Sequence, residues 1–134
     1  MSTTTNNRYY YGVGRRKAST ARAKFYPTTA GLTITINKKD AKTFLPEYYY
    51  DTLSTMLTNI NITEGDIQIF VKGGGINGLT EAARLAIAKA LVAKDETLRP
   101  SLRKFGYLTT DTRKVLSKRP GLRKARKREQ WSKR

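Results

Sequence analysis

The stretch Ile67-Gln68-Ile69-Phe70-Val71-Lys72-Gly73-Gly74-Gly75-Ile76-Asn77-Gly78 decides the fold. Its first half is β-branched and aromatic, the composition of a strand. It runs directly into a glycine loop. After the loop, Leu79, Ala82, Ala83, Ala86, Ile87, Ala90 and Leu91 recur at three- and four-residue spacing and mark a long amphipathic helix. A strand, a glycine turn and a helix in immediate succession predict a sheet and helices sharing one core.

Upstream, Leu32-Thr33-Ile34-Thr35-Ile36 alternates apolar and hydroxyl residues with period two, so one face of this strand is buried and the other polar. Residues 8–13 and 19–26 predict two further strands joined by a basic turn. Residues 41–45 suggest a short turn of helix. Beyond Pro46, which suits a helix start, Tyr50, Leu53, Met56, Leu57 and Ile60 predict another helix. Pro100 can open and Gly106 close a last short one. The expected architecture is α/β in the α+β sense, a four-stranded mixed sheet with helices on one face, formed by a body over residues 1–106.

Charge sets the remainder apart. The 134 residues carry a net charge of +17. Residues 99–134 hold 14 Lys and Arg against two acids, Asp111 and Glu129, and periodicity fails after Gly106. A basic tail over residues 107–134, with few apolar residues, cannot offset the entropy of ordering by itself and is expected to be extended, and disordered when alone. Such an excess of cations is more than solubility needs and points to a polyanionic partner.

The chain has no Cys and no His, which removes disulfides, Cys/His zinc sites, Cys nucleophiles and Ser-His-Asp triads. The ten carboxylates are scattered, leaving acid/base and metal chemistry no foothold. Ser101-Leu102-Arg103-Lys104 is an S-x-x-K string without the companion motifs of the hydrolases that use it. No apolar run approaches a membrane span, and the polar residues 1–7 lack the hydrophobic region of a leader. The expectation is a soluble cytoplasmic protein, not an enzyme, with no cofactor, no metal, no membrane and no small-molecule substrate.

The glycine loop admits three readings. Gly73, Gly75 and Gly78 satisfy G-x-G-x-x-G, but no second mononucleotide-binding half follows. A P-loop needs Lys where Leu79 stands. The third reading fits the charge: Gly73, Gly74 and Gly75 let a phosphate backbone approach the free N–H groups of the following helix, with Lys72 beside them. The turn Gly14-Arg15-Arg16-Lys17-Ala18-Ser19 similarly gathers Arg forks and hydroxyls suited to phosphate oxygens. The candidate contacts there are Arg15, Arg16, Lys17, Ser19 and Arg22. In the tail they are Arg113, Lys114, Lys118 and Arg119, then Arg123, Lys124, Arg126, Lys127 and Arg128. The run Tyr9-Tyr10-Tyr11 could stack bases or pack as strand residues, and the sequence leaves both open. At most, residues 119–134 could span roughly 50 Å.

Three segments in this order resemble one family, the small ribosomal subunit protein nine family of bacterial type. They are Tyr11-Gly12-Val13-Gly14-Arg15-Arg16-Lys17, Val71-Lys72-Gly73-Gly74-Gly75-Ile76-Asn77-Gly78, and Gly121-Leu122-Arg123-Lys124-Ala125-Arg126-Lys127-Arg128 with the terminal Ser132-Lys133-Arg134. The resemblance implies a ribosomal S5 domain 2-like fold with an unusual left-handed β-α-β crossover. It also implies binding to small-subunit rRNA in the subunit head, beside neighbouring head proteins. The family's tail reaches the peptidyl-site tRNA, which would make Ser132, Lys133 and Arg134 tRNA contacts and thread residues 123–128 through rRNA. Trp131 stands where the family usually carries Phe. The alternative reading of the same charge pattern is a protein that compacts DNA.

Overall fold

In the computed structural model, which describes residues 8–29 and 31–134, the basic turn joins two antiparallel strands, β1 (Tyr10–Arg16) and β2 (Ser19–Tyr26). The polar residues 1–7 lie outside the described residues. Strand β3 (Leu32–Ile36) turns back into β4 (Lys39–Asp40), and helices α1 (Ala41–Phe44) and α2 (Glu47–Asn59) lead on to β5 (Gly65–Lys72). Helix α3 (Ile76–Lys94), a 3-10 turn over Glu96–Leu98 and helix α4 (Arg99–Lys104) follow.

The sheet has five strands in the order β1-β2-β5-β3-β4, one more than the sequence pattern predicts. The extra strand is β4, two residues long, too short for alternation to mark it. It exists because Asn37 and Lys38 both occupy the left-handed region, at φ 49° and 67°, as a two-residue turn matched to sheet twist requires. The Asn37 side chain fixes the turn to β5. Its Oδ1 accepts from the Val71 N–H at 2.9 Å and its Nδ2 donates to the Val71 carbonyl at 3.2 Å. The sheet is mixed as expected, with β3 parallel to β5 and the other pairs antiparallel.

One face of the sheet carries the core. Ala21, Ala23 and Phe25 of β2, Ile34 and Ile36 of β3, and Ile67 and Ile69 of β5 alternate inward to meet Leu53, Met56 and Leu57 of α2 and the apolar side of α3. Each large side chain so buried contributes about 1.5–3 kcal/mol. Strand β1 contributes almost no side chains to this core. Instead its Gly12 and Gly14 let α3 lie directly on the strand: a Cβ on Gly12 would run into the carbonyl oxygen of Ala86, and one on Gly14 into that of Ala82. The Ala-rich stripe of α3 and the two glycines are therefore a single packing device.

Helix α3 starts at Ile76, three residues before the apolar stripe begins. Gly75 is its N-cap, with extended backbone at φ −102° and ψ 174°, and the Leu79 N–H donates to the Gly75 carbonyl at 2.9 Å. Gly106, at φ 73°, ends the last helical segment as expected. The packed chain nevertheless continues past it. Tyr107 and Leu108 lie against the core, the Asn59 Nδ2 donates to the Tyr107 hydroxyl at 3.0 Å, and the Arg84 guanidinium sits 5.6 Å from the Tyr107 ring.

Candidate nucleic-acid interface

The strand register brings the two cationic sequence motifs together. Arg15 pairs across to Thr20 and Thr20 to Lys72, so the three side chains form one row over the face opposite the core. Arg15 and Lys72 are both exposed. Between β1 and β2 the chain reverses through Lys17 and Ala18, and Lys17 takes φ 52°. A non-glycine residue there costs on the order of 1 kcal/mol, a strain that recurs at functional sites. Its consequence is an exposed cation at the very tip of the hairpin.

The glycine loop rests on that tip. Gly73 and Gly74 both have φ 77°, and a Cβ on Gly73 would press on the Ala18 carbonyl, while one on Gly74 would overlap the Ser19 Oγ. Ser19 is buried, its hydroxyl enclosed by Gly74 and Gly78 and without a hydrogen-bond partner. The loop therefore has two sides. One packs on the hairpin, and the other, with Lys72 and the uncapped first turn of α3, is exposed. Nucleotide-binding folds need a strand after such a helix, and none follows α3 among the described residues.

Residues 110–114 run along the other side of the hairpin tip. Together they enclose a groove of about 770 Å³ lined by Arg15, Arg16, Lys17, Thr20, Thr110, Thr112 and Lys114 among others. Forked guanidinium groups, an ammonium on either wall and hydroxyls between them are the donor set that phosphate oxygens accept from.

Arg16 belongs to the groove's scaffold. Its guanidinium donates to Glu81 on α3, lies 3.1 Å from Asp111 Oδ2 and donates to the Arg113 carbonyl at 3.2 Å. Its side chain is only 14% exposed. Asp111 in turn receives the Arg113 N–H at 2.9 Å and Arg113 Nη2 at 2.8 Å. Hydrogen bonds from the Arg113 side chain, then from its backbone N–H, hold the Asp111 carboxyl well below the usual carboxylate range, and the Arg16 charge adds to this. The same pairing raises the Arg113 pKa.

Of the residues singled out in the sequence, the structure gathers Arg15, Lys17, Lys72, Lys114 and the exposed side of Gly73–Gly75 around one end of the sheet. Arg16 and Ser19 lie behind them. Arg22 is exposed on the open sheet face. The sequence pattern does not mark Thr110, Asp111 and Thr112, which line the same groove. The available signal was Asp111 itself, one of two acids in a basic segment, where a lone carboxylate serves best as an internal clasp.

Beyond residue 114 the arm has no helix or strand, and Lys118, Arg119, Lys124, Arg126, Lys127 and Arg128 are exposed, as are Ser132, Lys133 and Arg134. It turns at Pro120-Gly121. In Arg119-Pro120-Gly121-Leu122, Pro and Gly at φ 76° occupy the central positions of a type II turn, closed by the Leu122 N–H donating to the Arg119 carbonyl at 3.2 Å. Arg123 adds a bond from its N–H to the Lys127 carbonyl at 2.8 Å and pairs with Glu129 at 3.2 Å.

Among the described residues no three His, Cys, Asp or Glu side chains are grouped to hold a metal ion. No helix there is long and apolar enough to cross a membrane. The sequence model of the family described as ribosomal protein S9/S16 matches residues 14–134.

Proposed function

The chain belongs to the ribosomal protein S9/S16 family, and from that premise we propose that it is a structural, non-catalytic constituent of the small ribosomal subunit in the cytoplasm. Its body binds rRNA of the subunit head, and its basic arm reaches the peptidyl-site tRNA. The mixed sheet with helices on one face supports reading the fold as S5 domain 2-like.

The observation that carries the rRNA reading is the convergence at the hairpin tip. Arg15, Lys17, Lys72 and Lys114 come from three separate segments of the chain and surround a groove and a glycine loop with open main-chain donors. Phosphate contacts of this kind position a protein on folded RNA without reading sequence. Arg16 and Ser19 act from behind, the first by fixing residues 111–113 and the second by seating the glycine loop. Further out, Arg113, Lys118, Arg119 and residues 123–128 follow rRNA, and Ser132, Lys133 and Arg134 meet tRNA phosphates. The exposure of the arm's cations and its few core contacts support this division.

Filter binding to small-subunit rRNA tests the proposal. Four phosphate contacts predict a roughly hundredfold loss of affinity between about 50 and about 200 mM salt, through counterion release. A flat salt response contradicts it, and equal affinity for duplex DNA would shift the reading to DNA compaction. For the arm, deletion of residues 132–134 leaves subunit incorporation intact and weakens tRNA retention at the peptidyl site. Failure to assemble would give those residues a structural role instead.

A further inference from the structure

We propose that the open face of the sheet is a further RNA surface, a platform on which unpaired nucleotides stack; this rests on the RNA-binding reading above and extends it from Arg15 and Lys72 at the hairpin tip across the rest of that face. The register arranges the side chains opposite the core in rows. Tyr11, Lys24 and Gln68 form one row, and Val13, Arg22 and Phe70 the next. Phe70 and Val13 are half-buried, yet neither packs against the hydrophobic core. Helices α2 and α3 pack on the opposite, core-facing side.

The tyrosine run resolves along the same lines. Tyr10 packs against the core, whereas Tyr9 and Tyr11 are each 47% exposed. The Tyr9 and Tyr26 rings stand 5.6 Å apart at a tilt of 50°, with Lys24 Nζ 4.6 Å from the Tyr9 ring. They border a depression of about 450 Å³ that extends to Arg8, Asp66 and Gln68.

Charge selects the occupant. Arg15, Arg22, Lys24 and Lys72 form no ion pair among the described residues. Across β1, β2 and β5 the open face has one carboxylate, Asp66, and it already accepts from Thr33 Oγ1 at 3.0 Å and Gln68 Nε2 at 2.9 Å. Four free cations favour a polyanion. The interleaved rings favour one with flat apolar surfaces to offer, and an RNA segment with unpaired bases has both, whereas a duplex keeps its base faces stacked inside.

The test uses the full chain with Trp131→Phe, so that Phe70→Trp introduces the only indole. The probe is an end-labelled single-stranded oligouridine of about eight nucleotides, a length suited to such grooves, with binding followed independently by anisotropy. The proposal expects saturable quenching of the indole with the same midpoint as the anisotropy change. It also expects about tenfold weaker binding for Phe70→Ala, and a loss of similar size for Arg22→Gln, which leaves the strand packing intact. Binding by anisotropy with an unquenched indole and unchanged affinity in both variants would overturn the platform while leaving the rRNA reading in place. Equal quenching by polyglutamate would also overturn it, assigning the face to an acidic protein neighbour. Failure to bind any RNA, small-subunit rRNA included, would defeat both readings.

Discussion

Arg16 Nη2 lies 3.1 Å from Asp111 Oδ2, joining the end of β1 to the base of the basic arm. Through Glu81 the same guanidinium is joined to α3. This clasp, with Tyr107 seated between Asn59 and Arg84, sets the direction in which the basic segment leaves the body. Arg16→Met is therefore expected to speed amide exchange at residues 109–113 by tenfold or so while leaving the core of β2 and β5 protected. Unchanged exchange at those positions would show that Tyr107 and Leu108 suffice to dock the arm.

The clasp has a defined pH dependence. The Asp111 pKa is lowered from its ordinary value of about 3.8, chiefly by hydrogen bonds from the Arg113 side chain and backbone, with the Arg16 charge of the clasp adding to this. Its contribution is fully present above that value and is lost only as pH falls through the lower docked value. Docking should thus be constant between about pH 8 and about pH 5 and weaken only in stronger acid. Because Arg113 is the larger cause, Arg113→Gln should raise the Asp111 titration more than Arg16→Met does, as read by carboxyl NMR.

Glycines that look alike in the sequence have different duties. Gly14→Ala drives a methyl group into the backbone of α3 and should destabilise the protein by about 3 kcal/mol, at the upper end of overpacking costs. Gly75 has open space around its would-be Cβ and extended backbone, so Gly75→Ala should cost only about 0.5 kcal/mol as a poorer N-cap. Urea denaturation of the two variants measures the contrast, and similar midpoints would contradict the account of β1 packing.

Lys17 combines strain with charge. Lys17→Gly relieves the left-handed backbone and should stabilise the fold by about 1 kcal/mol while removing a cation from the groove. Thermal melting and rRNA binding should therefore move in opposite directions. A variant that is both more stable and equally tight in binding would remove Lys17 from the interface.

The elements with strong periodicity were legible in the sequence. The alternation in β3, the β-branched run of β5 and the Ala-Leu stripe of α3 each depend on burial of one face, which leaves its mark residue by residue. Strand β4 was not legible, because it is made by the backbone angles of Asn37 and Lys38 and a clamp from Asn37 to Val71. Nor did the pattern show that Gly12 and Gly14 face α3, since a missing side chain leaves no hydropathy signal. The candidate interface was legible as a set of cations. What the sequence alone could not distinguish was Arg16 from Arg15. They are neighbours in one strand, yet alternation turns one toward Glu81 and Asp111 and the other toward open solvent.

Co-sedimentation with small ribosomal subunits depleted of this chain tests the central claim most directly. The account predicts that the protein runs with the subunits at low salt, is released at high salt, and is retained less well when Arg15, Lys17, Lys72 and Lys114 are changed together to Gln. Retention that is indifferent to both salt and these four substitutions would contradict it.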